Sequence, residues 1–410
     1  MIPSRPLVLL YLGTAHISLA LAFALVGLDP LAVAGFFYHS RMVAIVHLIT
    51  IGWIAMSILG NVYVVLPMAF GRPLPARKGD YTAYALVVIG LIGMVAHFWL
   101  AEFSGMAWSA ATAAAGIAHV VVRASLALRA ARVAAGVKLH IFFASANILG
   151  AITMGVLLGF DKVHQFLPGY VLSNVFAHAH LAAVGWGCMM AVGLGYRMLP
   201  MLLPAASPDG RTTYVSAILL EIGILGLFVS LLLRSSLSAF FAVLIIGGFG
   251  AAGAHIVWML NRVRTRPVVR GSPFALAHVA TAGAWLVIAC VFGLLLAATP
   301  VTETTMQMAM LYGVFGLVGF LAQVIVGFET HMLVTAAAYW AIQRGAGRKM
   351  AQPPSGLRRA VSYCGWLTGV PALSAGLFLD APMVLAAGAW VLCGAVVLAA
   401  IDGAIIVRGT

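Results

Sequence analysis

The chain has 410 residues, of which 63% are hydrophobic and 8% charged, with a formal net charge of +13. Apolar runs of membrane-spanning length fill it from end to end, which excludes a soluble globular domain. The basic excess falls in short loops between those runs, the distribution of a positive-inside membrane protein and not of a nucleic-acid binder. The expected environment is a lipid bilayer.

Twelve spans are expected, at 7–28, 41–69, 81–101, 105–128, 138–160, 171–203, 212–233, 237–260, 272–298, 305–340, 359–378 and 383–406. The start, MIPSRPLVLLYLGTAH, has no small-residue cleavage site after a short apolar core and reads as a retained first helix. The even-numbered loops are basic: Arg72, Arg77 and Lys78; Arg129, Arg132 and Lys138; Arg211; Arg262, Arg264, Arg266 and Arg270; then Arg344, Arg348, Lys349, Arg358 and Arg359. The odd-numbered loops carry Asp29, Glu102, Asp161, Glu303 and Asp380. This asymmetry places both termini in the cytoplasm, as expected for a multi-pass protein of a bacterial inner membrane. Cys188, Cys290, Cys364 and Cys393 lie inside apolar runs without CxxC spacing and read as packing residues.

The second span contains HLITIGWIAMSILGNVYVVLPM from His47, and the sixth contains HLAAVGWGCMMAVGLGYRMLPM from His180. Ten of these 22 positions are identical, at an offset of 133 residues. The tenth span, GFLAQVIVGFETHML from Gly319, follows the same pattern more weakly and has Tyr312 and Val314 where the sixth has His178 and His180. His119 and His255 also correspond, as do His16, Asn147 and His278. The simplest account is one membrane domain of three parallel four-helix repeats, 1–135, 136–270 and 271–410, packed around a pseudo-threefold axis.

Ionisable side chains in a membrane are costly and mark functional sites. His178 and His180 form an H-x-H pair; two residues apart on a helix, they point about 200° apart and serve different compartments. His47, His178, His180 and His97 fall at similar depth near the outer side. Neutral imidazole is an axial ligand of haem iron and also binds copper. Gly52, Gly60, Gly185 and Gly193 would give a macrocycle close helix approach, and Trp53, Trp186 and Met56 would give it apolar walls. The competing reading is that these histidines hydrogen-bond neighbouring helices. Arg41, six residues before His47, suits either a haem propionate or an interfacial anchor. Tyr63 and Tyr196, with Pro67 and Pro200, read as interface anchors and helix terminators. Gln323, Glu329 and His331 form a polar set in the tenth span, suited to a proton relay or to interhelical bonds. His119, His255, His16 and His278 read as packing between repeats.

AHAHLAAVGWGCMMAVGLGYRMLP resembles the H-x-H helix of the catalytic subunit (subunit I) of heme-copper oxidases, most nearly the cbb-type cytochrome oxidases and the related nitric oxide reductases. The resemblance implies a twelve-helix fold of three four-helix units. It also implies a high-spin haem on the first histidine and a low-spin haem on the second, with Arg41 beside a propionate. The NnrS family, haem- and copper-containing membrane proteins linked to nitric oxide stress, is a second relative. Three departures stand out. The H-x-H lies in the second repeat, not the third; Val314 replaces the tenth-span histidine; and the oxidases' adjacent His-His pair has no counterpart.

Two assignments stay open. In one, His47 and His180 are the axial ligands of one low-spin haem b, and His178 serves a second haem or an open site. In the other, His178 binds a haem facing a metal, copper or non-haem iron, held by His47 and His97. The sequence lacks C-x-x-C-H, so covalent haem attachment is not expected. The expected role is electron transfer, or binding or reduction of nitric oxide or oxygen. The electron source would be quinol, a periplasmic cytochrome c or a companion subunit, and a homo-oligomer fits equally well. A secondary transporter, or a haem protein without turnover, is the alternative.

Overall fold

The computed structural model describes residues 3–33, 38–203, 205–208, 210–263, 273–345 and 354–408. Arg264, Arg266, Arg270, Arg348 and Lys349, counted among the loop charges, lie outside them. Twelve long helices account for most of the described residues. They are α1 (Arg5–Leu28), α2 (Ser40–Met68), α3 (Lys78–Leu100), α4 (Met106–Arg129), α5 (Ala135–His164), α6 (Val171–Leu202), α7 (Gly210–Leu232), α8 (Ser238–Leu260), α9 (Pro273–Ala298), α10 (Glu303–Gln343), α11 (Gly356–Phe378) and α12 (Pro382–Arg408). Their ends fall within four residues of those expected from hydropathy. Eleven are long and apolar enough to cross a membrane. The other, α11, has 23 residues but opens on Arg358 and Arg359 and carries Ser362, Thr368 and Ser374. At 1.5 Å per residue it still reaches about 35 Å, more than the ~30 Å hydrocarbon layer. The protein is therefore an all-helical, multi-pass membrane protein.

Local chemistry sets the helix ends. The Asp80 carboxylate accepts the Arg77 N–H at 2.7 Å and starts α3. That helix ends on Ala101 in the left-handed region, φ 55°. Pro67 and Pro200 sit in the last turns of α2 and α6, where a missing N–H and a fixed φ stop propagation.

Three helices depart from α geometry midway. Leu48–Ala55 in α2, Leu181–Cys188 in α6 and Val314–Ala322 in α10 are π-helical. Their first residues are spaced 133 apart, as 181 − 48 and 314 − 181 both show. Such wide turns are rare and concentrate at functional sites. The three π segments also touch one another, so α2, α6 and α10 form the centre of the bundle.

Around that centre the neighbours recur. Helix α1 packs on α2, α5 on α6 and α9 on α10; α3–α4, α7–α8 and α11–α12 are tight hairpins. Contacts of α4 with α5, α8 with α9 and α12 with α1 close the ring. Glycines make the inner seams close. A Cβ on Gly52 would stand 2.5 Å from the Ser18 Cβ, and one on Gly60 2.7 Å from the Tyr11 Cβ. On Gly185 it would lie 3.0 Å from Asn147 Cβ, and on Gly193 2.7 Å from His140 Cβ. These four glycines therefore give the close helix approach expected of them, seating α2 against α1 and α6 against α5. This is the small-residue helix packing usual in membranes.

Tyr63 and Tyr196 also correct an expectation. Neither is an interface anchor: both are buried in the bundle. Tyr63 stacks on Tyr11, with ring centroids 6.3 Å apart. The Tyr196 hydroxyl lies 2.8 Å from His255 Nδ1 and 2.9 Å from Ser216 Oγ, which in turn lies 3.0 Å from His140 Nε2. In lipid, polar groups of this kind find partners on neighbouring helices because no water competes.

Candidate functional site

His47 and His178 stand about two turns into α2 and α6, and His180 two residues further on, just before the π segments. Each has its Nδ1 on a backbone carbonyl. His47 Nδ1–H donates to Val43 O at 2.8 Å, and His180 Nδ1–H to Phe176 O at 2.8 Å. His178 Nδ1–H reaches across to Ala151 O of α5 at 3.0 Å. A carbonyl can only accept, so each neutral ring carries its proton on Nδ1 and its lone pair on Nε2. This is the arrangement in which a histidine is oriented for a metal by the bond its other nitrogen makes.

The H-x-H pair does split between compartments. His178 faces α5, where a Cβ on Gly155 would lie 3.0 Å from its Cε1. His180 faces α10: its ring stacks on Tyr312, centroids 5.8 Å apart, and the Tyr312 hydroxyl donates to Nε2 at 3.2 Å. Nε2 of His47 and of His178 has no hydrogen-bond partner among the described residues. Both rings are half-buried. His47 lies flat against Phe98, at 5.2 Å and 20°.

The remaining candidates are engaged elsewhere. His97 Nδ1–H donates to Glu102 O at 2.8 Å, and its Cε1–Nε2 edge lies over Gly105 in the α3–α4 turn. Arg41 is paired with Asp29 at 3.2 Å and stands 5.3 Å over the Trp99 ring. Trp53 is fully buried edge-on to His16 of α1, centroids 5.0 Å apart. Trp186 lines an apolar cavity of about 40 Å³ with Ile58, Leu66, Val121 and Leu128. Met56 is fully buried. Among the described residues, no three His, Cys, Asp or Glu side chains converge as a metal-holding group. Two imidazoles with open Nε2 atoms, and a third bonded there only by a phenol, have the donor chemistry that would hold a haem. Among the described residues no group of three or more donors is present for a copper or non-haem iron centre.

Sequence reasoning missed Tyr312 as a partner of His180; it noted only that a tyrosine stands where a histidine would align. It also missed Asp80, which is fully buried beside Arg123 and His119. Tyr312 was visible as a polar residue inside an apolar run, whereas Asp80 stood beside the charges of the Arg72–Lys78 loop and gave no signal of burial. The partner was visible in neither case, because it lies on another helix. No protein-family model matches the chain, and no curated protein matches it.

Proposed function

We propose that this chain is a haem b-binding inner-membrane protein with both termini cytoplasmic, built like subunit I of the heme-copper oxidases and nitric oxide reductases. In this reading residues 1–135, 136–270 and 271–410 are three units about a pseudo-threefold axis. The recurring helix neighbours and the 133-residue spacing of the π segments support it. The observation that carries the functional reading is the set of three carbonyl-anchored imidazoles, His47, His178 and His180, at one level of the central helices.

His47 and His180 would hold one haem b, and His178 would serve a second haem or an open site. A bound haem supplies one-electron redox chemistry and an iron to which nitric oxide or oxygen binds. The chain's own contribution is orientation. The Val43, Phe176 and Ala151 carbonyls hold each ring in the Nδ1–H tautomer. Phe98 and Tyr312 stack on the His47 and His180 rings and fix their planes. The Tyr312 phenol donates to His180 Nε2, the atom that would hold the iron. Electrons come from quinol, a periplasmic cytochrome c or a companion subunit.

The test is the optical spectrum of purified protein. Reduced wild type is expected to show a split low-spin haem b spectrum, lost in both His47→Ala and His180→Ala and largely kept in His178→Ala. A full low-spin spectrum in both of the first two variants refutes the assignment. Protein without haem points instead to the secondary transporter.

A further inference from the structure

Below the histidine level, α2, α6 and α10 enclose a cavity of about 70 Å³. Its wall is mostly apolar, with Met190, Met198 and Met332 among the lining, but Ser57, Asn61 and Glu329 also line it. Among the described residues, Glu329 is 5% exposed with no hydrogen-bond partner for its Oε2, and Ser57 is 0% exposed with none for its Oγ. An isolated buried carboxylate is expensive, and a buried hydroxyl without a partner costs less but still counts. One water needs roughly 10–15 Å³ of such space, so the cavity has room for several. Ser57, Asn61 and Glu329 are the polar residues along its wall, the Ser57 and Glu329 oxygens lying just behind an otherwise apolar surface.

The other oxygen of Glu329 lies 3.7 Å from His16 Nδ1. That nitrogen already donates to Leu12 O at 2.9 Å, so it carries the ring proton and cannot take one from the carboxyl. His16 is thus an N–H neighbour, and Glu329 is the group that holds the exchangeable proton. The other charged and titratable groups near this stretch of α10 are His331, two residues further along the same helix, and groups on α9, α11 and α12. On α11 and α12, Arg359 pairs with Asp402 at 2.9 Å and reaches Thr330 O at 3.4 Å. On α9, His278 meets Gln323, not Glu329. From α6 the lining is apolar: Gly187, Met190, Ala191, Leu194 and Met198.

We propose that the cavity between α2, α6 and α10 is a hydrated proton-exchange site, in which Glu329 takes a proton from, and returns it to, water held by Ser57 and Asn61. The transfer is complete in itself: the carboxyl O–H breaks as a water O–H forms, with no change of oxidation state. Ser57 and Asn61 come 10 and 14 residues after His47 on α2, which sets this site about three to four turns from the imidazoles. The inference needs no haem.

Infrared difference spectroscopy on the full chain in lipid nanodiscs tests it. A carboxylic C=O band is expected that moves to lower frequency in D2O and is missing in Glu329→Gln. Glu329→Asp should retain a shifted band, which keeps the test open if the Gln variant folds poorly. Glu221→Gln, which removes the buried carboxyl bonded to Asn147, should leave the band in place. Ser57→Val should keep the band and slow its deuterium shift several-fold. A band that survives Glu329→Gln, or one that does not respond to D2O, overturns the proposal. So does a response to exchanging sodium for choline in place of the D2O shift, which would make this a cation site.

Discussion

Asp80→Asn should destabilise the protein without touching the imidazoles. Asp80 is fully buried at the start of α3, and its Oδ2 accepts the Arg77 N–H and faces Arg123 of α4. Its Oδ1 accepts from His119 Nε2 at 3.2 Å. Asparagine keeps the shape and one acceptor oxygen but removes the charge. Breaking one side of a buried ion pair costs about 3–5 kcal/mol, because the partner is left uncompensated. Arg123 is 18% exposed and also reaches Pro75 O at 3.3 Å, which offsets part of that loss. The expected destabilisation is therefore about 2–3 kcal/mol. Equilibrium unfolding in mixed detergent–SDS micelles, followed by tryptophan fluorescence, measures it. Arg123→Met in the same background should recover part of the loss, a coupling of at least about 1 kcal/mol between contacting groups. A cost below about 0.5 kcal/mol, or strictly additive single variants, would show that the cluster does not hold the α3–α4 hairpin.

Topology reporters fused at Lys78 and at Lys138 should give cytoplasmic signals, and one at Asp161 a periplasmic signal; a periplasmic signal at Lys78 would move the histidine level to the other leaflet. If His178 holds a five-coordinate haem, carbon monoxide or nitric oxide should shift part of the reduced spectrum, and His178→Ala should remove that shift. No gas response together with one haem per chain would leave an electron carrier in place of a gas-handling enzyme.

Hydropathy placed every long helix, because membrane thickness fixes span length. The divergence of His178 and His180 was likewise legible, since it follows from helical pitch alone. What crosses between helices was not. Gly52 and Gly185 read as positions of close helix approach, but that their partners would be Ser18 and Asn147 of the preceding helices was not visible. Tyr63 and Tyr196 carried the composition of an interface residue, yet packing against Tyr11, Ser216 and His255 draws them inward. The Asp80–Arg123 pair spans 43 residues and depends on the register of a hairpin that periodicity leaves free.

The π segments also have a mechanical meaning. Each residue of an α-helix turns the chain by about 100°, whereas a π turn takes more residues to come round. Leu48–Ala55 therefore acts as a phase adjuster between the two halves of α2. Above it His47 is aimed at the imidazole level; below it Ser57 meets the Glu329 cavity and Gly60 meets Tyr11. Deleting one residue inside that segment would let it relax to α geometry and turn the lower half against the upper. The two levels of the bundle would then lose their alignment while every span kept its length and hydrophobicity. The same adjuster sits at the same level in α6 and α10, so the three central helices are indexed to one another there.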